Sequence, residues 1–421
     1  MLQALLAGVA SIKAQQTRMN VIGNNLANVN TTSYKGSRVT FQDMIAQTIR
    51  GASRPNANLG GTNPVQYGLG VLISGTDINN EQGSLSATNR PTDLAIQGNG
   101  FFMTSNNDRV AYTRDGAFDI DAEGVLVHRS TGERVLGWTA DPATGVFDQN
   151  QVVGTQSTLV IPIGQRTAVQ VSTTASFAGN LDAGDPIVAA PLPPLGDPAW
   201  RVASVRTFDS LGAPQDLTIH FIKSNTGEWT WQVTSDSGST VTGGGTLQFD
   251  GSGILTSGSP ASITITPAAG GAPAFDVELD FSRIGQLNTE TQVQSAGQNG
   301  FPPGSLQGFS IGVDGTITGL FTNGLTRPLG RIAMVIFPNS NGLERMGNNM
   351  WRATDNSGLP VVGASKSGGR GSINAGFLEQ SNIDIGNEFT DLIVTQRGFQ
   401  ANTKVVTTVD EMLQDLINMK R

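Results

Sequence analysis

The chain has 421 residues, enough for two or three domains with sizeable cores, which excludes chain-wide disorder. Charged residues make up 14% against an average of about 25%, and 53 glycines are nearly twice the usual share of about 7%, so the composition points to turn-rich β structure whose neutral polar surfaces can pack against copies of themselves. A net charge of -8 with no basic run excludes a nucleic-acid partner, and the absence of cysteine excludes disulfides, thiolate catalysis and zinc-thiolate sites.

The first residues, MLQALLAGVASIKAQQ, hold an apolar run with no basic residues before it, so a cleaved signal peptide is not expected. No stretch reaches the ~20 apolar residues of a membrane span. Leu5, Ile12, Met19 and Leu26 recur at a spacing of seven and predict a helix over residues 1–30 with one apolar line, while Gln16 and Gly23 interrupt the second. Asn24 to Lys35, NNLANVNTTSYK, is dense in side chains that bond their own backbone, so it should end the helix and turn into extended chain. Residues 31–75, rich in Gly, Asn and Pro from about Gly51, read as an extended connector.

Residues 76–150 carry a β-meander: Val110 and Tyr112, Phe118 and Ile120, and Val125 and Val127 alternate, with turns at Asp115-Gly116, Glu123-Gly124 and Thr131-Gly132. The loop from Asp119 imitates the opening of a calcium-binding EF-hand, but Ser130 stands where the twelfth-position Glu is needed, and a hairpin turn is the reading retained. Residues 151–302 form a second β-rich block, in which Trp229 and Trp231 share one strand face and are expected in its core. Hairpin units resume over 303–381, around Asp314-Gly315 and Asn323-Gly324. The pattern predicts one β domain from 76–150 plus 303–381, with 151–302 inserted as an outer one.

Over residues 382–421 Ile385, Leu392, Phe399, Val406 and Leu413 make an unbroken apolar line at heptad spacing. The offset seam, Phe389, Gln396, Thr403, Asp410 and Ile417, is polar through its middle. Asn387 is placed to cap the helix, Glu388 and Asp391 to occupy its first turn, and Lys420 and Arg421 its end, each charge suited to the helix dipole. A helix from Asn387 to Met419 would be about 50 Å long, more than a small domain can cover. The simplest partner is the N-terminal helix, giving an α+β fold: paired, coiled-coil-like terminal heptad helices with two nested β-rich domains between them.

Catalytic patterns do not emerge. The two histidines, His128 and His220, each lie within an alternating strand, and no phosphate-binding, metalloprotease or nucleophile-elbow motif occurs. No enzyme activity, cofactor or metal is expected.

Asn24 to Lys35 resembles the N-terminal signature of the axial proteins of the bacterial flagellum, the rod and hook family, with Ser33 where Gly is usual. Ser381 to Arg421, above all Gln396-Arg397 through Ala401-Asn402 to Asp410-Glu411-Met412-Leu413, resembles its terminal signature, and Asp93 to Phe102 followed by Tyr112 to Phe118 resembles the β domain that members share. By this resemblance Asn24, Asn25, Ala27, Asn28, Tyr34, Gln396, Arg397 and Asn402 are signature positions. It implies a self-assembling structural protein of the hook rather than the rod, since rod subunits resemble this pattern without the full insertion and Phe208 to Gly212 looks like a hook motif. It further implies export through the flagellar type III apparatus, contacts with the distal rod, the hook cap and the hook-filament junction, and terminal helices lining a tube that bends as it transmits torque. The two apolar lines are then expected to pair the helices. Gln16, Gln396, Thr403 and Asp410 are expected to face a neighbouring subunit or the channel. Two other readings fit the sequence: a distal-rod protein, and a secreted β-rich adhesin or carbohydrate-binding protein using Trp229 and Trp231.

Overall fold

Helix α1 spans Leu2–Ala27, a stretch rich in good helix formers and free of proline. It ends where Asn28 folds back and its Nδ2 donates to Asn24 O at 2.9 Å and Asn24 Oδ1 at 2.7 Å. Helix α2 spans Ile385–Asn418. Its cap is Asp384 rather than Asn387: the Asp384 Oδ1 accepts the N–H groups of Gly386 at 2.8 Å and Asn387 at 3.2 Å, so the helix starts earlier than the sequence suggested. The computed structural model describes residues 2–55, 60–106, 109–141, 145–148, 151–162, 167–188, 191–268 and 270–419. Lys420 and Arg421, expected to close α2, lie outside them.

The stretch expected as a connector is largely paired. Strand β1 (Ser37–Asp43) runs antiparallel to β4 (Val71–Ile78), and β2 (Ala46–Arg50) antiparallel to β3 (Val65–Gly68). Val39, Phe41, Ile49, Tyr67, Val71 and Ile73 give these arms their β propensity, which the Gly, Asn and Pro between them obscured. The pairing lies against α1: a Cβ on Gly70 would meet Ala7 and Ala10, and Gln3 Nε2 donates to Tyr67 Oη at 2.6 Å. Helix α1 is thus covered by α2 on one side and by this two-stranded arm on another.

A nine-stranded sheet is centred on Phe101–Ser105, buried along its whole length, and draws strands from both 101–135 and 334–363. Beside it a five-stranded sheet has the order Gly137–Thr139, Thr326–Ile332, Thr316–Phe321, Phe301–Ile311, Thr167–Gln170. Leu94, Ile96, Phe102, Phe118, Leu126, Ile161, Ile317 and Ile332 share one core. Of the alternating pair expected here, Val125 is buried but Val127 is not. Leu126 and His128 are the fully buried pair, and Val127 is half-buried. In the turn before them Asp121 Oδ1 accepts the N–H groups of Glu123 at 2.9 Å and Val125 at 2.7 Å, so this carboxylate of the EF-hand-like loop serves the hairpin.

All strands of two further five-stranded sheets lie between Thr174 and Gln298. Their shared core contains Trp229 and Trp231 at 0% and 2% exposure, with Phe177, Phe221 and Phe281. In one sheet Thr174–Asp182 pairs parallel with Phe275–Leu287 and antiparallel with Gln292–Gln298, so the first and last strands of the segment are neighbours.

Candidate assembly interface

Two structures meet at the candidate interface, the helix pair and the joint that ties it to the β sheets. The helices run antiparallel. Asn25 Nδ2 donates to Glu388 Oε1 at 3.0 Å, Arg18 forms an ion pair with Asp391 at 3.1 Å, and Asn402 Nδ2 donates to Ser11 Oγ at 2.6 Å. A Cβ on Gly398 would lie 3.3 Å from Gln15 Nε2, and one on Gly8 3.0 Å from Val406 Cγ2. Small residues therefore sit where side chains of the other helix, Val406 and Gln15, press closest. Burial pushes the Glu388 carboxyl above its ordinary range, and nearby Asp391 adds to that.

Leu5, Ile12, Met19 and Leu26 are half-buried, as are Leu392, Phe399, Val406 and Leu413, whereas Ile385 is exposed. Gln16, Gln396 and Asp410 are exposed. Thr403 is half-buried and its Oγ1 donates to Gln400 O at 2.8 Å. Arg397 is exposed and donates to Gln400 Oε1 at 3.2 Å. Ala27 is the last residue of α1 and is exposed.

The joint is built from the NNLANVNTTSYK segment. Asn25 Oδ1 accepts Ser37 N–H at 3.0 Å while its Nδ2 donates to Ser37 O at 2.8 Å, which clamps the end of α1 to the start of β1. Tyr34 Oη lies 3.4 Å from the side-chain oxygens of both Asn24 and Asn25. The Arg345 guanidinium stacks 5.0 Å from the Tyr34 ring and 5.0 Å from the Trp351 ring, and it also donates to Lys35 O. Ser33 has φ of 56°, the left-handed region where glycine is unstrained, so the Ser for Gly difference has a conformational cost that its sequence position did not reveal. Its Oγ donates to Arg114 O at 2.8 Å.

Beneath this lies a buried ionic centre. Glu379 Oε1 accepts Lys35 Nζ at 2.7 Å and Gly83 N–H at 2.9 Å, and Oε2 accepts Arg114 Nε at 3.0 Å. Lys35, Glu379 and Arg114 are 2%, 1% and 6% exposed. Burial, reinforced by Arg114, holds the Lys35 ammonium below its ordinary value despite the Glu379 contact. Asn382 completes the seam: its Oδ1 accepts Gly36 N–H at 2.9 Å and its Nδ2 donates to Asn79 O at 2.8 Å.

Sequence models of known families match this chain in four places. Residues 5–35 match the flagella basal body rod protein, 95–176 the flagellar hook protein FlgE/F/G D1 domain, 180–301 the flagellar basal body protein FlaE D2 domain, and 374–419 the flagellar basal body rod FlgEFG protein C-terminal region. The chain is 37% identical over 465 residues to the flagellar hook protein FlgE of Treponema pallidum, with all of both chains covered. It is 33% identical to that of Escherichia coli, covering 99% of this chain and 100% of the relative. The chain belongs to the flagellar hook protein FlgE family. It is a structural subunit of the hook of the bacterial flagellum. A relative at lower identity, 29% over the whole of both chains, is the flagellar basal-body rod protein FlgG of Bacillus subtilis. No helix of the described residues is long and apolar enough to cross a membrane.

For a hook subunit the most telling surface is one the heptad reading missed. Val394, Val405, Met412 and Leu416, within about 40° of one another around α2, are 44% to 58% exposed. The inward positions of α2 also include Thr395 and Val409, both buried, and the half-buried Asn402. Two of these three are polar, so an apolar count passed over them. The Lys35, Arg114 and Glu379 centre had no local signal at all.

Proposed function

We propose that this hook subunit joins head to tail with copies of itself into an open, curved helical tube that acts as a universal joint, passing torque from the rod to the filament while it bends. In this reading residues 1–30 and 382–421 pair as a coiled-coil-like assembly domain. The β domain of 76–150 and 303–381 lies outside it, and the block within 151–302 forms the outermost layer. A contact between different faces of identical subunits that does not close generates a filament, so one heterologous interface along α2 suffices. The carrying observation is the exposed apolar flank of α2, Val394, Val405, Met412 and Leu416, which a lone chain leaves in water. Gln16, Gln396 and Asp410, exposed on the same two helices, are assigned to subunit or channel contacts. Leu5, Ile12, Met19, Leu26, Ile385, Leu392, Phe399, Val406 and Leu413 are assigned to helix pairing.

Export through the flagellar type III apparatus without a cleaved signal, assembly under the hook cap, and junctions with the distal rod protein and the hook-filament junction protein belong to the same proposal. Electron microscopy of purified protein at high salt tests it. Curved helical tubes are expected; straight ones would favour the rod reading, and persistent monomers would overturn self-assembly. The adhesin reading loses its binding face, because Trp229 and Trp231 are packed inside the core.

A further inference from the structure

The two helices carry apolar lines that repeat at seven, and such lines fit one another equally well after a slide of seven residues. Apolar matching therefore leaves the register of the pair open. Something else has to fix it. The polar contacts do not share that freedom. Asn402 Nδ2 donates to Ser11 Oγ at 2.6 Å in a part-buried layer of the interface, and one turn away Gln15 lies over Gly398.

A slide of seven in one direction would set Asn402 against Arg18 and bring Val406 onto Gln15. That would put a real Cβ where Gly8 leaves space, at a spot where a Cβ would already lie 3.0 Å from Val406 Cγ2. A slide the other way would set Asn402 against Ala4, which offers its amide no side-chain acceptor. Leaving a half-buried amide unpaired is costly, while the apolar contacts would be nearly unchanged.

We infer that Asn402, through Ser11, is a register-determining residue of the terminal helix pair, selecting one antiparallel alignment over its distal half as Asn25 on Glu388 and Arg18 on Asp391 do beside the joint. In a polymer the consequence is specificity of assembly. A slipped pair would shift the outward flank of α2 by about 10 Å at 1.5 Å per residue, and neighbouring subunits would no longer match.

The inference rests on the helix pairing proposed above, and the test separates the two. Since the chain has no cysteine, engineered pairs report register in assembled tubes of full-length protein. Gln15→Cys with Gly398→Cys reports the native alignment, and Gln15→Cys with Val405→Cys or Asp391→Cys reports a slide of seven in either direction. In the parent, only the native pair should cross-link; its failure there would overturn the pairing itself. In Asn402→Leu the slipped-to-native ratio should rise on the order of tenfold or more, the factor one lost hydrogen bond and its unpaired group are worth. The exchange Ser11→Asn with Asn402→Ser should restore native cross-linking and uniform tubes. Native register retained in Asn402→Leu would overturn the inference. If Asn402→Leu forms no tubes, the exchange variant decides: rescue supports the role, and failure of the folded exchange variant to assemble overturns it.

Discussion

Asn299 holds Thr174: its Oδ1 accepts the Thr174 N–H at 3.0 Å, and its own backbone N–H donates to Thr174 O at 3.3 Å. The chain enters and leaves the outer β sheets through this one adjacency. Thr167–Gln170 and Phe301–Ile311, by contrast, pair within the inner sheet, and Leu159 and Ile161 fill the inner core at 1% and 0% exposure. Removing 174–298 with a short Gly-Ser closure should leave the inner sheets folded, whereas removing 151–302 should strip core and strand from them. Thermal melts of the two deletions check this. Equal loss of melting temperature would count against it. Tubes assembled from the shorter deletion are expected to be straighter or weaker than those of the full chain.

Replacing Glu379 with Gln would leave Lys35 and Arg114 as buried cations with no carboxylate between them. Breaking a buried ion pair from one side costs about 3–5 kcal/mol. Denaturant titration should read that loss; one below about 1 kcal/mol would show the centre to be well hydrated after all.

The same centre sets a pH slope. The folded value of Lys35 lies below its ordinary value of 10.5, so between the two the unfolded chain holds the extra proton and stability increases as pH rises toward 10.5. Below the folded value the cost of the buried charge is present in full. Lys35→Met should flatten this rise, measured as unfolding midpoints from neutral to alkaline pH.

Asp115 gives the opposite, acidic limb. Burial alone would raise its carboxyl, but His128, whose Nε2 lies 3.5 Å from Oδ2, with the Ala117 N–H and Thr32 Oγ1, holds it below its ordinary value of 3.8. Its contribution is present above 3.8 and is lost as pH falls through the lower folded value. Asp115→Asn should therefore be less stable at neutral pH and lose less on acidification. Parallel acid-unfolding curves for the two proteins would contradict the assignment.

Ser33 sits at positive φ with its hydroxyl on Arg114 O. Ser33→Gly relieves roughly 1–2 kcal/mol of backbone cost and loses a bond worth about 1 kcal/mol, so its net effect should be small. Ser33→Ala keeps the strain and loses the bond. It should be about 1 kcal/mol or more less stable than the glycine variant, by denaturant midpoint.

Phe399→Asp would set a charge on the half-buried face of α2 toward α1. Tubes should fail to form at high salt while near-ultraviolet circular dichroism of the β sheets stays unchanged. Normal tubes from this variant would remove Phe399 from the assembly face.

The helices and the meander were legible because each satisfies a period of its own chain: Leu392 to Leu413 at seven, Val110 to Ile120 at two. The arm of β1 to β4 was not, because its strands are split by Gly, Asn and Pro that locally spell loop, and its stability comes from lying on Ala7 and Ala10 of α1. The cap moved from Asn387 to Asp384 because the first apolar residue of α2, Ile385, precedes Asn387. What defied reading most was the joint. Lys35, Arg114 and Glu379 are ordinary surface residue types, and only the folded chain brings them together.

That joint also dictates an order of events. Lys35 and Glu379 are 344 positions apart, and Arg114 and Glu379 are 265 apart. A chain delivered from its N-terminus carries both cations hydrated until nearly its last tenth has arrived, because without the carboxylate their burial is unfavourable. Closure of the joint is therefore a late, long-range step, and the entropy of that closure is met once, at completion. A chain cut short before Glu379 lacks both the carboxylate that closes the joint and the whole of α2, so the joint and the helix pair are completed by the same last tenth of the chain.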